Sequence, residues 1–585
     1  MRSATSCSKT LIRSDWRRFW PVIILYAVVS FFILPVGIWN EREIGYDVVY
    51  TKLQGHVYRM YQTASHVYGA LSSFTIINFF LGVILAMALF SYLMDTKAVG
   101  QMHALPINRT RQLLSHFGAG MSMLTAVNLL TFVVSLLLEA AIGAVDMVPL
   151  LIWLLVTELT GFFFLAFATL CAMVTGWLLA VPVIYVGLNF VVMAYYYILE
   201  GVGARIWVNR SSYSSVSTLC GNLIAWLTPA MKITDELRTL DGFENEAYQK
   251  GATLFTMNPG ALPTVLVYTL VGVLMLMLAC VLYRARHSES AGDAIVFPWL
   301  RPVVKYVISI AAGLSLGTIA HEAIFGYWNT NEIALILCMI IMGGLIYCAL
   351  EMLLRKTFKI IDKRMLLGLG AVLAAIIAIC ACISLDIFGY EKWVPDPEKV
   401  EKVHLNMGCE VNSDDPDVIR AVTELHRVLT QGGTNKTRGY DFSVEYWMKN
   451  GDIGMRWLKL KNLDLNDPEI YQAVSNLLSQ PGVHFTSLLS DRGAYGESFV
   501  GGYAHNPMTG KKVQLTPEQC LALYRALEAD ESAPIKPEDL LYKDDAGIFL
   551  ELDTELGSYY VDGIQTGNVN TMALLEEYGL MDPAE

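Results

Sequence analysis

The feature that most constrains this chain is a series of apolar runs, each about twenty residues long, in its first two thirds. A helix needs roughly 20 apolar residues to cross a hydrocarbon core about 30 Å thick. The chain is therefore predicted to be a polytopic α-helical membrane protein with about nine transmembrane helices. The predicted spans lie near residues 20 to 38, 71 to 93, 113 to 142, 147 to 176, 179 to 199, 262 to 283, 303 to 325, 331 to 353 and 366 to 387.

The composition agrees with membrane insertion and excludes two classes of protein. Of the 585 residues, 54% are hydrophobic and 16% are charged, and the mean hydropathy is +0.44, whereas soluble domains average about 25% charged residues. Acidic residues outnumber basic ones by 54 to 42, so the chain lacks the basic excess that binding to nucleic acid requires. An ordinary soluble enzyme and a nucleic-acid-binding protein are both excluded.

Charge divides the chain near residue 388. Residues 389–585 contain 33 acidic and 17 basic residues, which leaves 21 acidic and 25 basic residues before them. Lysines and arginines in the connecting segments favour the side of the N-terminus by about two to one, which predicts a cytoplasmic N-terminus in the plasma membrane. An odd number of spans then places the C-terminal part outside the cytoplasm.

Four parts follow from these patterns. Residues 1–19 form an interfacial amphipathic segment with Leu11, Trp16 and Phe19 toward lipid. Residues 20–283 form a six-span core, residues 284–387 add three more transmembrane helices, and residues 388–585 form an extracytoplasmic α+β domain.

The outer domain has alternating strand and helix patterns. Asn450-Gly451 between two strand patterns is the strongest short-range signal of a β-hairpin, and Thr516 to Gln519 form a helix-capping box. The element order is compatible with a repeated helix–hairpin–helix unit, and pairing of Cys409 with Cys520 stays open. The predicted elements are strand 400 to 407, helix 417 to 429, strands 440 to 448 and 453 to 460, helix 468 to 478, a helix from 516, and strands 548 to 552 and 558 to 561.

No catalytic motif is present, so the chain is predicted not to be an enzyme. Thr509-Gly510-Lys511-Lys512 lacks both the first glycine of a phosphate-binding loop and the Ser or Thr after lysine. Gly313 to Gly317 fits a nucleophile-elbow pattern but lies in an apolar helix, where small residues four apart favour helix contact. We assign no catalytic residue, no metal ligand and no cofactor to this chain.

A polar segment connects the second and third spans on the predicted cytoplasmic side. It contains His103-Ala104-Leu105-Pro106-Ile107-Asn108-Arg109. Pro106 favours extended backbone before it and predicts a new helix from Ile107 onward. Arg109 and Arg111 either meet acceptors on a partner or act as positive-inside anchors, and both interpretations stay open.

This segment and the six-span layout resemble the membrane subunits of ABC-2-type transporters, particularly Gram-positive permeases with a His-Ser/Ala-Leu-Pro-Ile/Val-x-Arg segment after the second span. The resemblance covers about residues 8–283. It implies a dimer with a second permease copy or a paralogue, and a separately encoded cytosolic ATPase that binds ATP and Mg²⁺. The residues that it assigns to the ATPase-coupling loop are Gln101, Met102, His103, Ala104, Leu105, Pro106, Ile107, Arg109 and Arg111.

Carboxylates inside apolar runs are the candidates for a substrate path, because each is costly unless it faces protein or water. Glu158 with Asn128, and Glu139, are the candidates. The alternatives are that Glu158 pairs with a polar partner such as Asn128 or Thr160, and that Glu139 is solvated near the outer boundary.

The hairpin around Asn450 is similar to one in the extracellular domains of some of these permeases. Its Trp447 and Trp457 are candidate recognition residues, although packing on a buried hairpin face is the more ordinary explanation for them.

The expected function is movement of an amphiphilic or cell-envelope-active compound, including drug or antimicrobial-peptide export and resistance. The alternative function is an envelope stress or ligand sensor that does not transport. The basic loop from residue 354 to residue 364 is predicted to anchor the orientation, with anionic-lipid binding as its alternative.

Overall fold

A computed structural model gives the fold of most of the chain. Two compact units are distinguished: Met1–Ile198 with Asn222–Ala311 and Gly344–Val372, and Leu199–Gly221 with Ala312–Gly343 and Leu373–Glu585. The residues that the structure describes are 2–41, 55–206, 210–211, 218–238, 251, 253–326, 331–387, 389, 393–407, 409–431, 441–449, 453–459, 465–480, 483–485, 498–507, 509–531, 537, 548–554, 558–561, 564 and 568–580.

Residues up to 384 are predominantly helical. Within the described ranges, nine helical segments are long and apolar enough to cross a membrane, as predicted. They are α2 continued by α3, then α4, α6, α7, α8, α11, α12, α13 and α14. The helices are α1 (Arg2–Arg18), α2 (Trp20–Ile33), α3 (Pro35–Asn40), α4 (Gly55–Phe90), α5 (Thr96–His103), α6 (Arg109–Ile142), α7 (Met147–Val174), α8 (Ala180–Ile206), α9 (Thr218–Trp226), α10 (Pro229–Arg238), α11 (Ala261–Ala285), α12 (Leu300–Phe325), α13 (Glu332–Arg355) and α14 (Lys363–Ser384).

The second span begins earlier than predicted. The sequence pattern gave 71 to 93, but α4 starts at Gly55, so part of the predicted outer loop is helical. Polar residues such as Arg59 and His66 lower the hydropathy of this first part. It is nevertheless packed, because Val67 and Tyr68 are buried in the core of the first unit.

Helix α7 lies at the centre of that core. A Cβ atom at Gly82 of α4 would lie 2.9 Å from the backbone of Phe164, and one at Gly272 of α11 would lie 3.1 Å from the Cα of Phe163. Glycine therefore lets both neighbouring helices approach α7 closely, which is how helices associate where lipid removes the hydrophobic driving force.

The N-terminal helix packs against α6, so the expectation that Trp16 faces lipid is wrong. The Trp16 indole Nε1 donates to the hydroxyl of Ser122 at 2.9 Å. Asp15 is buried and its carboxylate lies 2.7 Å from Nδ1 of His116. Phe19 is half-buried against the same core. A buried carboxylate needs a partner, and α6 supplies one.

Gly313 and Gly317 form a helix contact, as predicted. A Cβ atom at Gly313 would lie 2.8 Å from the Cα of Gly343 on α13, and Gly317 faces the backbone of Met339 on the same helix. The nucleophile-elbow pattern is therefore a packing motif between α12 and α13.

The C-terminal region contains two modules that share one order of elements, hairpin–helix–hairpin–helix. In the first module the strand order is β5-β4-β2-β3, and in the second it is β10-β9-β7-β8, with antiparallel neighbours throughout. Each module has its own apolar core. The first consists of β2 (Val400–Asn406), β3 (Cys409–Ser413), α15 (Pro416–Gln431), β4 (Asp441–Met448), β5 (Ile453–Lys459) and α16 (Pro468–Leu478), and the second of β7 (Phe499–Asn506), β8 (Lys511–Leu515), α17 (Pro517–Glu531), β9 (Phe549–Thr554), β10 (Ser558–Val561) and α18 (Val569–Glu577).

Two short strands extend the first sheet. Strand β1 (Arg210–Ser211), from the segment after α8, pairs with β5, and β6 (His484–Phe485) pairs with β3. The sheet thus includes a strand from the loop between the fifth and sixth spans.

The elements predicted for residues 388–585 are present, but the sequence pattern missed β1, β3, β6, β7, β8 and α18. Two consecutive glycines, Gly501 and Gly502, weaken the strand pattern of β7. Thr509 to Lys512, which imitates part of a phosphate loop, is the turn into β8, where Gly510 has a φ of 68°. Cys520 is a free, buried thiol.

A buried histidine marks the first module. His426 on α15 stacks on Tyr446, and its Nδ1 lies 3.0 Å from the tyrosine hydroxyl. Burial, with a smaller contribution from Arg456, lowers the pKa of His426 from 6.5 to about 3. The second module has Leu527 at the equivalent place on α17, ten residues after the helix-initiating Pro517.

We expect acid to destabilise the first module through His426. The unfolded chain binds a proton near pH 6.5, whereas the folded module does so only near pH 3. The contribution of the neutral His426 to stability is therefore fully present above pH 6.5 and is lost as the pH falls from 6.5 toward 3. Between pH 7.5 and pH 4.5 this protonation should lower the free energy of unfolding of the parent by about 2 to 3 kcal/mol. His426→Leu should remove this loss. The measurement is thermal unfolding of the full chain in detergent at both pH values. An equal drop in the midpoint for variant and parent would contradict this assignment.

Candidate functional site

The predicted coupling segment contains a short helix that ends before Pro106. Helix α5 begins after Asp95, whose carboxylate accepts the N–H of Lys97 at 2.8 Å, and it ends at His103. The next helix, α6, starts at Arg109. A new helix therefore begins two residues after Ile107, close to the predicted start, and Pro106 separates it from α5. The sequence did not predict α5 itself, which the N-cap at Asp95 starts before the proline.

The segment divides into exposed and half-buried positions. Gln101, Ala104 and Pro106 are exposed at the turn between α5 and α6, and so is Arg111 on the first turn of α6. The half-buried positions are Met102, His103, Leu105, Ile107 and Arg109. A partner would meet the exposed residues first.

Arg109 binds this chain. Its Nη1 donates to the carbonyl oxygens of Tyr283, Arg284 and Arg286 at 3.4, 3.3 and 2.7 Å. These carbonyls lie at the C-terminal end of α11, where a helix leaves acceptors without intrahelical partners and favours a positive charge. The backbone acceptors expected on a partner are thus supplied from within.

Arg286 makes the same kind of contact with two other helices. Its Nη1 donates to the carbonyls of Ala172, Met173 and Thr175 at 3.1, 3.1 and 2.8 Å, and its Nη2 donates to that of Leu93 at 2.9 Å. The side chain is 4% exposed. Burial lowers the pKa of Arg286 to about 10, so the guanidinium remains charged at neutral pH.

Tyr283 connects the two arginine contacts with α5. Its hydroxyl donates to Oε1 of Gln112 at 3.0 Å and lies 3.1 Å from the hydroxyl of Tyr92 and 3.3 Å from Nε2 of His103. Burial, and then the neighbouring guanidinium groups, lower the pKa of His103. We call these side chains the helix-end junction: Tyr92, His103, Arg109, Gln112, Tyr283 and Arg286.

Sequence reasoning treated Arg286 only as a positive-inside anchor. Its sole signal was a position just after the sixth apolar run, beside Arg284. That signal does not distinguish a guanidinium in solvent from one turned back onto helix ends.

The structure brings Asn128 and Glu158 together. The Asn128 amide donates to Oε1 of Glu158 at 2.9 Å, and the Thr125 hydroxyl donates to Oε2 at 2.8 Å. The Tyr26 hydroxyl in turn donates to the Asn128 amide oxygen at 2.5 Å. Thr160 is not a partner of Glu158, because Asn78 donates to its hydroxyl at 3.0 Å.

Glu139 lies apart from this group and is 1% exposed, so the alternative that solvent surrounds it is wrong. One carboxylate oxygen accepts the N–H of Asp146 at 3.1 Å. The other carboxylate oxygen has no hydrogen-bond partner among the described residues.

The structure describes the side chain of only one of the two tryptophans predicted to form a recognition face. Trp447 is half-buried on β4, 5.8 Å from the Lys402 ammonium and 6.4 Å from the His404 ring. Trp457 lies on β5, opposite Arg210 of β1, and its side chain is outside the described part of the chain. The ring of Trp393 lies 4.9 Å from the guanidinium carbon of Arg456, a contact that the sequence did not indicate.

Comparisons with known proteins identify no relative. No family model, no curated protein and no solved structure matches the chain. Within the described residues there is no group of three or more His, Cys, Asp or Glu side chains that could hold a metal ion.

We expect Arg286 to be essential for stability. Arg286→Met leaves four carbonyl acceptors without their donor and should lower the free energy of unfolding by about 3 kcal/mol or more. Arg284→Met is the matched control, since Arg284 is exposed and donates to the Thr110 hydroxyl, and it should cost about 0.5 kcal/mol or less. Thermal unfolding in detergent compares the two variants. Equal midpoints would contradict the structural role of Arg286.

Proposed function

We propose that this chain is the permease subunit of an ATP-binding-cassette transporter that moves an amphiphilic or cell-envelope-active compound. The chain itself is not an enzyme. A separately encoded cytosolic ATPase binds ATP and Mg²⁺, and a second permease copy or paralogue completes the complex in the plasma membrane. The resemblance of His103 to Arg109 to the ABC-2-type coupling segment motivates the proposal, and the geometry of that segment supports it.

The observation that carries the proposal is the connection between α5 and the ends of the spans. Gln101, Ala104 and Pro106 are exposed, whereas Arg109 in the same segment holds three carbonyls at the end of α11. A partner that moves the exposed turn would therefore move helix ends in the core. This is the mechanical requirement of a transporter whose energy comes from another subunit.

The contacts are also consistent with a cytoplasmic junction and an outer C-terminal region. The ends of α7 and α11, the start of α6 and the end of the second span meet at the junction, as alternating spans require. Pairing of β1 with β5 requires the loop after α8 and the C-terminal sheet to lie on one side of a membrane. With the Lys and Arg bias, that side is the outside.

Charge at the exposed turn should prevent association with the ATPase. We expect the double variant Gln101→Glu/Ala104→Glu to reduce co-purification of the ATPase at least tenfold, with no change in thermal unfolding, because neither side chain belongs to the junction. Ala285→Glu is the control, since Ala285 is the exposed last residue of α11 and lies outside the segment between α5 and α6. The measurement is ATPase recovered per tagged chain from membranes. Unchanged recovery in the double variant, or an ATPase that never accompanies the chain, would favour the envelope sensor.

Glu158 is the candidate carboxylate of the substrate path. We expect Glu158→Gln to reduce stimulation of ATP hydrolysis by envelope-active compounds about tenfold while ATPase recovery stays normal, because glutamine keeps the size of the side chain and removes its charge. Glu139→Gln is the comparison, since Glu139 is a buried carboxylate that lies in a different group. If only Glu139→Gln lost stimulation, the path would pass Glu139 instead.

A further inference from the structure

The basic loop, residues 354–364, contains the seven-residue connection 356–362 together with the end of α13 and the first two residues of α14. Both neighbouring helices are long and apolar enough to cross a membrane. A connection this short cannot leave the interface, so its side chains meet either lipid headgroups or the water beside them.

This loop exposes its largest apolar side chains. Phe358 is 88% exposed and Ile361 is 85% exposed, and Leu367 on the next turn of α14 is 80% exposed. Aromatic and aliphatic groups at this exposure are favourable beside acyl chains and unfavourable in water.

Ion pairs hold the base of the loop. The Arg355 guanidinium contacts Glu351 at 2.6 Å and Asp362 at 2.7 Å, and the Lys356 ammonium contacts Asp293 at 2.9 Å. Asp362 also accepts the N–H of Met365 at 2.7 Å, at the start of α14. These contacts fix both ends of the loop and neutralise two of its cations.

Three further cations are left over. Lys359, Lys363 and Arg364 are exposed, and their side chains have no carboxylate partner within the described ranges. They flank Phe358 and Ile361 in sequence. The loop therefore combines exposed apolar groups with uncompensated positive charge, as segments that bind an anionic bilayer surface do.

We propose that this loop binds anionic lipid, with Lys359, Lys363 and Arg364 on phosphate headgroups and Phe358 and Ile361 between acyl chains. A lipid partner is favoured over an acidic protein because the apolar side chains lie within a few residues of two spans. The proposal requires that the helices cross a membrane, and it is independent of ATPase coupling.

The test is native mass spectrometry of the full chain in detergent, titrated with phosphatidylglycerol or phosphatidylcholine. We expect the wild type to prefer phosphatidylglycerol and the variant Lys359→Gln/Lys363→Gln/Arg364→Gln to lose that preference at least fivefold. The control is Lys399→Gln/Lys512→Gln/Arg525→Gln, which removes three exposed cations of the C-terminal region and should keep most of the preference. No preference in the wild type, or an equal loss in both variants, would overturn the proposal.

A second measurement tests lipid contact with all the charges of the loop intact. p-Benzoylphenylalanine in place of Phe358, in the full chain in membranes, should crosslink to lipid on irradiation. Crosslinks to another protein without lipid adducts would identify a protein-docking loop and overturn the lipid assignment.

Discussion

The arrangement of the core depends on one buried cation. Arg286 contacts the last carbonyls of α7 and the carbonyl of Leu93 at the end of the second span. Helix ends leave such carbonyls without partners, and near lipid there is little water to satisfy them. A guanidinium has five N–H donors in a rigid plane, so one side chain can serve several acceptors. Since α4 and α11 both pack on α7, this contact joins the ends of these three helices within the first unit.

Arg109 makes the same kind of contact on α11, and the segment from His103 to Arg109 contains two chemical environments. Its arginine and histidine contact the α11 carbonyls and Tyr283. Ala104 and Pro106, which lie between them, are exposed. The segment therefore combines exposed positions with side chains that attach it to the core, and a resemblance in sequence does not separate the two.

Hydropathy was sufficient to predict the nine described helices that are long and apolar enough to cross a membrane. It failed where half-buried polar residues lower the hydropathy of a packed helix, as in the first part of α4 around Arg59 and His66. Strand β7 was missed because Gly501 and Gly502 interrupt its alternation. The contacts of Arg286 could not be predicted, because Leu93 and Ala172 lie far from Arg286 in sequence. In addition, the acceptors are backbone carbonyls, which every residue has, so no side-chain pattern indicates them. Asn128 beside Glu158 was predictable, because a carboxylate in an apolar run demands a donor.

The two C-terminal modules differ in what completes their sheets, and that difference depends on a segment that follows α8. In the first module β1 covers the edge strand β5, whereas β10, the equivalent strand of the second module, has no further neighbour among the described strands. Strand β1 begins at Arg210, four residues after α8 ends at Ile206. Four residue steps of extended chain reach at most about 14 Å, so β1 lies near the end of α8. The first sheet is therefore completed by a segment that lies far from its other strands in sequence, whereas the described strands of the second sheet all come from the C-terminal region.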